Sequence, residues 1–345
     1  MKNIHGALIT GLVVSLCASG APALAAPMGD IGGCPMFPAD NIWNARVDQL
    51  PVDARSSDYI GSIGANTHLH PDFGTFYQGA PIGIPYTTVL GIQPMVSVTF
   101  RYDDQSDPAP YPIPPNAPIE GGLNAVGDRH ILIVDTSACK LYEIYNSYPP
   151  NTSTQAWCVS NIWCAQSGAV WDLRSNALRP DTWTSADAAG LPILPGLVRY
   201  DEVVSGRIDH AIRFTVDISQ QAHVWPARHD ASDNTSPTRP PMGQRFRLKA
   251  SKDITGFPQH IQVIFQAFKE FGIIVADNGS NWYISGTHDT RWDDDMLVNG
   301  FSQLAGSDFE AVDVSSLIVN PDSGQTHATS PFVPSHFQYL PIARR

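Results

Sequence analysis

The sequence is short of positive charge and of long hydrophobic runs. Its 345 residues contain 21 Lys and Arg against 33 Asp and Glu, which gives a formal net charge of −12. Nucleic acids and anionic membrane surfaces require basic patches, so we expect neither as a partner. An acidic polysaccharide is disfavoured less strongly, because local Arg residues could still form a basic cleft. After residue 25 no segment approaches the length of apolar residues that a membrane span needs.

The familiar catalytic and cofactor motifs are missing as well. The sequence has no G-x-S-x-G nucleophile elbow, no G-x-G-x-x-G or P-loop for nucleotides, and no H-E-x-x-H zinc pattern. The segment His68-Leu-His70-Pro-Asp72 is the nearest approach to a metal site. However, Pro71 favours a loop, and Gly74 stands where a cupin would need a carboxylate. We therefore expect no cofactor and no metal, with loop hydrogen bonding as the role of these histidines.

Cysteine is scarce, and its distribution predicts an exported protein with two disulfides. Residues 1–25 resemble a secretory signal peptide, with Lys2 before a short apolar stretch and small residues at a cleavage site. Its removal takes one of the five cysteines and leaves an even number, which favours disulfides in an oxidising compartment. We predict the pairs Cys34–Cys139 and Cys158–Cys164. A four-thiolate metal site is the alternative, but no C-x-x-C pair supports it.

The composition predicts a mainly-β fold. With 27 Gly, 29 Pro and only 16% charged residues, many short strands joined by structured loops fit better than a helical protein. We expect a single domain over residues 26–345, a β-sandwich or jelly roll with an irregular C-terminal tail. One amphipathic helix is predicted from Pro258 to Phe271. Hairpins are predicted between residues 129–135 and 140–146 and around Asp277-Asn-Gly-Ser280. Thr184-Ser-Ala-Asp187 resembles a capping box that opens a short helix before Pro192.

Three predicted strands place an ionisable residue on an otherwise apolar face. Because side chains alternate along a strand, His130 shares a face with Leu132, Glu143 with Leu141, and His210 with Ile212. Such groups are costly to bury unless they are paired, and they are enriched in active sites. A hydrogen-bonded core residue is the alternative for each. We take His130, Glu143 and His210 as candidate catalytic residues that could share one cleft.

Aromatic residues beside polar ones suggest a carbohydrate ligand. Trp faces stack on the C–H surfaces of sugars, and Arg binds hydroxyl or carboxylate groups. The candidate substrate-binding residues are Trp171, Trp225, Arg228 and His229. Asp172 is a candidate partner carboxylate for Glu143, since glycoside hydrolysis needs an acid and a base or nucleophile. The leading hypothesis is therefore a secreted glycoside hydrolase that acts on a polysaccharide or oligosaccharide.

Two alternatives remain. A polysaccharide lyase would use a His or Tyr base and an Arg that neutralises a uronic acid carboxylate, and His130, His210, Tyr145 and Arg213 supply these types. The acidic net charge ranks this second. A non-catalytic carbohydrate-binding or envelope protein would instead use the polar residues as a satisfied core network.

Several segments also resemble an uncharacterised group of secreted, mostly bacterial proteins. The segments that carry this resemblance are Phe37-Pro-Ala-Asp-Asn41, Leu69-His-Pro-Asp-Phe-Gly74, Gly127-Asp-Arg-His130, Leu141-Tyr-Glu-Ile-Tyr145, the run Arg179 to Val203, Val224-Trp-Pro-Ala-Arg-His229, Pro241-Met-Gly-Gln-Arg-Phe246 and Asp277-Asn-Gly-Ser280. The resemblance covers nearly all of the mature chain. It implies one globular unit and carries no activity to this chain.

Overall fold

The computed structural model describes residues 29–327 of the chain. The predicted signal peptide and the last residues of the predicted tail lie outside this range. None of the helices between residues 29 and 327 has the length and apolar character that a membrane crossing requires.

Short strands dominate the described chain. The strands are β1 (His70–Asp72), β2 (Phe76–Tyr77), β3 (Ala80–Pro81), β4 (Tyr86–Val89), β5 (Val98–Phe100), β6 (Ile131–Asp135), β7 (Lys140–Tyr145), β8 (Trp163–Ala165), β9 (Ser167–Asp172), β10 (Ile212–Val216), β11 (Arg245–Leu248), β12 (Ile273–Asn278), β13 (Tyr283–Ser285) and β14 (Phe309–Ala311). The helices are α1 (Ser56–Ile63), α2 (Tyr200–Ser205), α3 (Gln259–Glu270) and α4 (Asp294–Phe301). The predicted mainly-β class is confirmed.

The larger sheet has six strands in the order β1-β13-β10-β12-β11-β14. Strands β1 and β13 are parallel, as are β10 and β12, whereas β10 runs antiparallel to β13. Helix α3 packs its apolar stripe towards this sheet, and the Phe268 ring lies 6.0 Å from the ring of Phe309 on β14. The predicted amphipathic helix is thereby confirmed, and Gly272 follows it with a φ of 72° that suits glycine.

A second sheet has the order β4-β6-β7-β9. Strands β6 and β7 pair antiparallel with Asp135 opposite Lys140, so the hairpin predicted at this position is confirmed. Both faces of this sheet are buried. Ile131, Ile133 and Ile144 pack with the small β5–β8 sheet in one core cluster, while Leu132 and Leu141 belong to the larger core that includes the six-stranded sheet. Parallel pairs occur in three of the sheets, in contrast to the antiparallel strands of a jelly roll.

A loop of residues 185–198, called the buried loop below, contacts both large sheets. All of its residues are buried except Ala188, which is half-buried. The Ala189 N–H donates to the Ala276 carbonyl on β12, and the Val198 N–H donates to the Ser285 carbonyl on β13. On the other side, Ser167 Oγ of β9 donates to the Ser185 carbonyl at 2.7 Å. Connecting segments usually run over the surface, so a buried one needs an internal partner for each peptide group.

Two local predictions are wrong, and both failures have a topological reason. Strands β12 and β13 flank the predicted turn at Asp277–Ser280 but do not form a hairpin, because β10 lies between them and pairs with both. The segment Thr184–Asp187 is not helical. Its Asp187 side chain is instead bound to Arg213 of β10, and this contact outweighs the local capping signal.

Both predicted disulfides are confirmed. Cys34 bonds to Cys139 across a sequence separation of 105 residues, and Cys158 bonds to Cys164 across 6 residues. The first ties the N-terminal segment to the start of β7. The second closes a small loop that ends on β8.

These two bridges should differ in their effect on stability. In the chain-entropy model the stabilisation grows with the length of the loop that a disulfide closes. It amounts to about 5 kcal/mol for Cys34–Cys139 and about 2 kcal/mol for Cys158–Cys164. We therefore expect the paired substitution Cys34→Ala/Cys139→Ala to lower the free energy of unfolding more than Cys158→Ala/Cys164→Ala. Urea unfolding of the two variants under identical conditions measures this. Equal losses would contradict the loop-length argument.

Candidate functional site

Glu143 of β7 is completely buried, and it binds the buried loop. Its Oε1 accepts hydrogen bonds from the Ile193 and Leu194 N–H groups at 2.9 Å each, and its Oε2 accepts from Trp171 Nε1 at 3.0 Å. Burial raises the pKa of Glu143 to about 7, against the opposing effect of these three donors. Every carboxylate oxygen is therefore committed to the protein. The side chain acts as a structural support for the loop.

His130 lies just before β6 and serves the same loop. Its Nδ1 is 2.6 Å from Glu120 Oε2, and its Nε2 is 3.1 Å from the Ala186 carbonyl. Burial disfavours a charged ring, yet the charge of Glu120 outweighs it and raises the pKa of His130 to about 9. Both ring nitrogens then carry protons at neutral pH and both can donate. His130 is buried, so Glu120 is the accessible end of this pair.

His210 belongs to a separate cluster. Its Nε2 is 3.2 Å from Glu202 Oε2 of α2, and its Nδ1 is 2.8 Å from the Ala211 carbonyl. Arg199 donates to the other oxygen of Glu202 at 2.5 Å. This ion cluster fixes the short helix α2 beside β10. The structure does not bring His210 together with Glu143 or His130.

The predicted sugar-binding residues are mostly committed to the core. Trp171 is 4% and Trp225 is 9% exposed, so neither offers a ring face to a sugar. Arg228 is buried and donates to the Pro321 carbonyl and to Asp322, while Nδ1 of half-buried His229 lies 2.9 Å from the Ala188 carbonyl. These four positions therefore do not form an open carbohydrate surface.

Asp172 does not pair with Glu143. It is exposed at the end of β9 opposite Lys140, whereas Glu143 lies opposite Ala169 in the same ladder. The Asp172 Oδ1 accepts from the Arg174 N–H at 2.9 Å. Asp172 and Glu143 therefore do not form the carboxylate pair that glycoside hydrolysis needs.

A second group of polar and acidic residues surrounds Arg213 of β10. The Arg213 guanidinium donates to both oxygens of Asp187, at 2.7 and 3.2 Å, and to Ser285 Oγ of β13 at 2.7 Å. Asp72 of β1 lies directly opposite Ser285 in the parallel pair β1–β13. The buried cation thus stands beneath the ends of β1, β10 and β13.

A β-bulge adds Asp277 to this group. The register between β10 and β12 shifts by one residue, so that Val275 pairs with Phe214 but Asp277 pairs with Thr215. Without the shift Asp277 would share the face of Val275, and with it Asp277 shares the face of Arg213. The Arg213 Nη2 and Asp277 Oδ2 atoms are 3.7 Å apart. Bulges that redirect a side chain are common beside active sites.

The accessible carboxylates form what we call the acidic recess, defined by Asp72, Glu120, Asp128 and Asp277. Asp72 is exposed by surface area, yet burial, followed by the charge of Glu120, raises its pKa. Burial and the charges of Asp128 and Asp277 raise the pKa of Tyr145 to about 12. The Tyr145 side chain therefore lies near these two residues of the recess.

The pKa values of two carboxyl groups in the recess are shifted in opposite directions. Burial and the neighbouring charge of Asp187 raise the pKa of Asp277 to about 7, while its side chain remains 27% exposed. Burial acts in the same direction on Glu120, but the charge of His130 prevails and lowers the pKa of Glu120. Carboxyl groups whose environments separate their pKa values are suited to acid and base roles. Among residues 29–327 no three His, Cys, Asp or Glu side chains are arranged to hold a metal ion.

Comparison with known proteins adds no assignment. No family model, no curated protein and no solved structure matches this chain. The resemblance to a group of secreted bacterial proteins therefore stays a prediction, and the chemistry must be argued from the site alone.

The raised pKa of Glu143 predicts a pH-dependent effect of its substitution. A carboxyl group with a pKa raised from about 4.5 to about 7 stabilises the fold fully below pH 4.5 and loses this contribution as the pH rises through 7. Glu143→Gln places an amide N–H₂ among three donors and should be destabilised at pH 4.5. The deficit should shrink by about 3 kcal/mol by pH 8.

Urea unfolding at the two pH values tests this, with the exposed Asp172→Asn as the control variant. A stability deficit of Glu143→Gln that grows between pH 4.5 and pH 8 would show that the carboxylate is the form the fold prefers.

Proposed function

We propose that this protein is a secreted carbohydrate-active enzyme, a glycoside hydrolase whose reaction takes place in the acidic recess. The observation that carries the proposal is Asp277, an accessible carboxyl group with a pKa of about 7 beside further exposed carboxylates. Glycoside hydrolysis needs one protonated carboxyl group at the leaving oxygen and one carboxylate that activates water or attacks the sugar.

Asp277 is the general acid in this proposal, and Asp128 is the base or nucleophile. Asp128 is exposed, and its charge contributes to the raised pKa of Asp277, so the two groups lie near one another. The charges of both act on Tyr145, and in this proposal its hydroxyl group hydrogen-bonds a substrate between them. Glu143, His130 and Arg213 do not touch substrate here. They hold the buried loop and Asp187, which in turn set the electrostatics of Asp277.

Export fits the chemistry of the cysteines. Two disulfides within the described residues are typical of an oxidising compartment outside the cytosol, where polysaccharides are also met.

A polysaccharide lyase is the second candidate, because a His and a Tyr, two of the residue types that it could use as a base, lie close together. The rings of His130 and Tyr145 are 5.5 Å apart beside the recess. Against it, Arg213 is fully engaged by Asp187 and Ser285, and the ionised carboxylates of the recess would repel a uronic acid polymer. A neutral polysaccharide suits the recess better.

Activity should depend on Asp277 and Asp128 and should fall as the pH rises through about 7, because the general acid then loses its proton. We expect Asp277→Asn and Asp128→Asn each to lower kcat at least a hundredfold on a neutral polysaccharide. Asp172→Asn, an exposed aspartate outside the recess, should retain full activity.

Release of reducing ends from a panel of polysaccharides measures this, and absorbance in the near ultraviolet reports an unsaturated lyase product. Full activity in Asp277→Asn would remove this residue from the mechanism. An ultraviolet-absorbing product would assign elimination instead of hydrolysis.

A further inference from the structure

A pocket of about 390 Å³ lies beside the acidic recess, and nothing in the proposed reaction uses it. Its walls come from four separate segments, at Pro81, residues 115–123, Pro149 and Trp163. The segment 115–123 is shared with the recess, because Ile119 faces the pocket while the next residue, Glu120, binds His130. The volume falls within the range of roughly 300–1,000 Å³ that is usual for small-molecule sites.

Most of the pocket wall is apolar. Four of the lining residues are prolines, which have no N–H to offer, and Trp163, which is 8% exposed, contributes only a small part of its indole. The Ala117 and Gly122 N–H groups are already used in turns, where they donate to the Pro114 and Ile119 carbonyls. The Asn116 carboxamide is the polar side chain that lines the pocket. A sugar ring, which needs several hydrogen-bond partners, would be poorly satisfied there.

We propose that this pocket binds a small uncharged aromatic ring. The pyrrolidine faces of the four prolines complement a planar ring, and Asn116 can hydrogen-bond a single hydroxyl group on it. One wall of the pocket, at Trp163 and Pro149, is fixed independently of any ligand. Trp163 is held by the pairing of β8 with β5, and the neighbouring Cys164 is tied by a disulfide and by a backbone bridge to Tyr148, the residue before Pro149. This inference does not depend on the reaction proposed above.

The glycine-rich loop beside the pocket offers a matched pair of variants. Leu123 lines the pocket and is 59% exposed, whereas Val126 is fully exposed on the same loop and does not line it. Substitution of either exposed residue should leave the fold intact, which thermal unfolding of both variants verifies. Leu123→Arg brings a charge to the pocket, and Val126→Arg brings the same charge to the adjacent surface.

The test is titration of the full-length protein with 4-fluorophenol, followed by fluorine NMR and by the indole N–H signal of Trp163. We expect saturable binding that shifts the Trp163 signal. Binding should weaken at least tenfold in Leu123→Arg and less than twofold in Val126→Arg. Cyclohexanol and methyl glucoside, which lack an aromatic ring, should bind at least tenfold more weakly.

Binding of 4-fluorophenol that is equally strong in Leu123→Arg would place the ligand elsewhere and overturn the proposal. So would an absence of saturation, or a preference for methyl glucoside over 4-fluorophenol. None of these outcomes bears on hydrolysis, which is measured separately through Asp277 and Asp128.

Discussion

The structure depends on how the peptide groups of the buried loop are satisfied. Residues 185–198 lie in contact with both large sheets, where water cannot reach most of their N–H and carbonyl groups. Each unpaired group would cost on the order of 1–3 kcal/mol, so the sheets must supply partners. Glu143 accepts from two successive N–H groups, His130 meets the Ala186 carbonyl, and Ser167 donates to the Ser185 carbonyl. Without these side chains the loop could not occupy this position.

This requirement explains two of the three ionisable residues on apolar faces, Glu143 and His130, whereas His210 binds Glu202 in a separate cluster. The sequence pattern locates His130, Glu143 and His210 correctly as unusual, and burial confirms that their faces are apolar. The pattern cannot tell whether such a group serves a ligand or a neighbouring peptide, because the partner is distant in sequence. Glu143 meets residues 50 positions away, and Arg213 meets Asp187 from another segment altogether. The carboxyl groups of the acidic recess lie nearer the surface, in segments whose sequence suggests a loop or a turn.

Local signals predicted local structure well. The β6–β7 hairpin, helix α3 and both disulfides rest on short-range patterns or on cysteine count, and all are present. The failures are those in which a distant element intervenes. Strand β10 enters between β12 and β13 and replaces the expected hairpin, and it introduces the bulge that turns Asp277 towards Arg213. Read from the sequence alone, Asp277 is only the first residue of a turn, so its place in the recess could not be anticipated.

The buried Arg213 side chain is shared unequally between Asp187 and Asp277, and this links the core to the recess. Arg213 gives Asp187 two hydrogen bonds, whereas its nearest approach to Asp277 is 3.7 Å. Burial outweighs this compensation and raises the pKa of Asp187 as well, while the charge of Asp187 adds to the effect of burial on the pKa of Asp277. Two carboxylates that compete for one guanidinium cannot both be well stabilised as anions, and the less favoured one holds its proton longer. The fold thus converts a structural ion pair beneath the sheet ends into an accessible carboxylic acid near neutral pH, which is the property that the proposed chemistry requires.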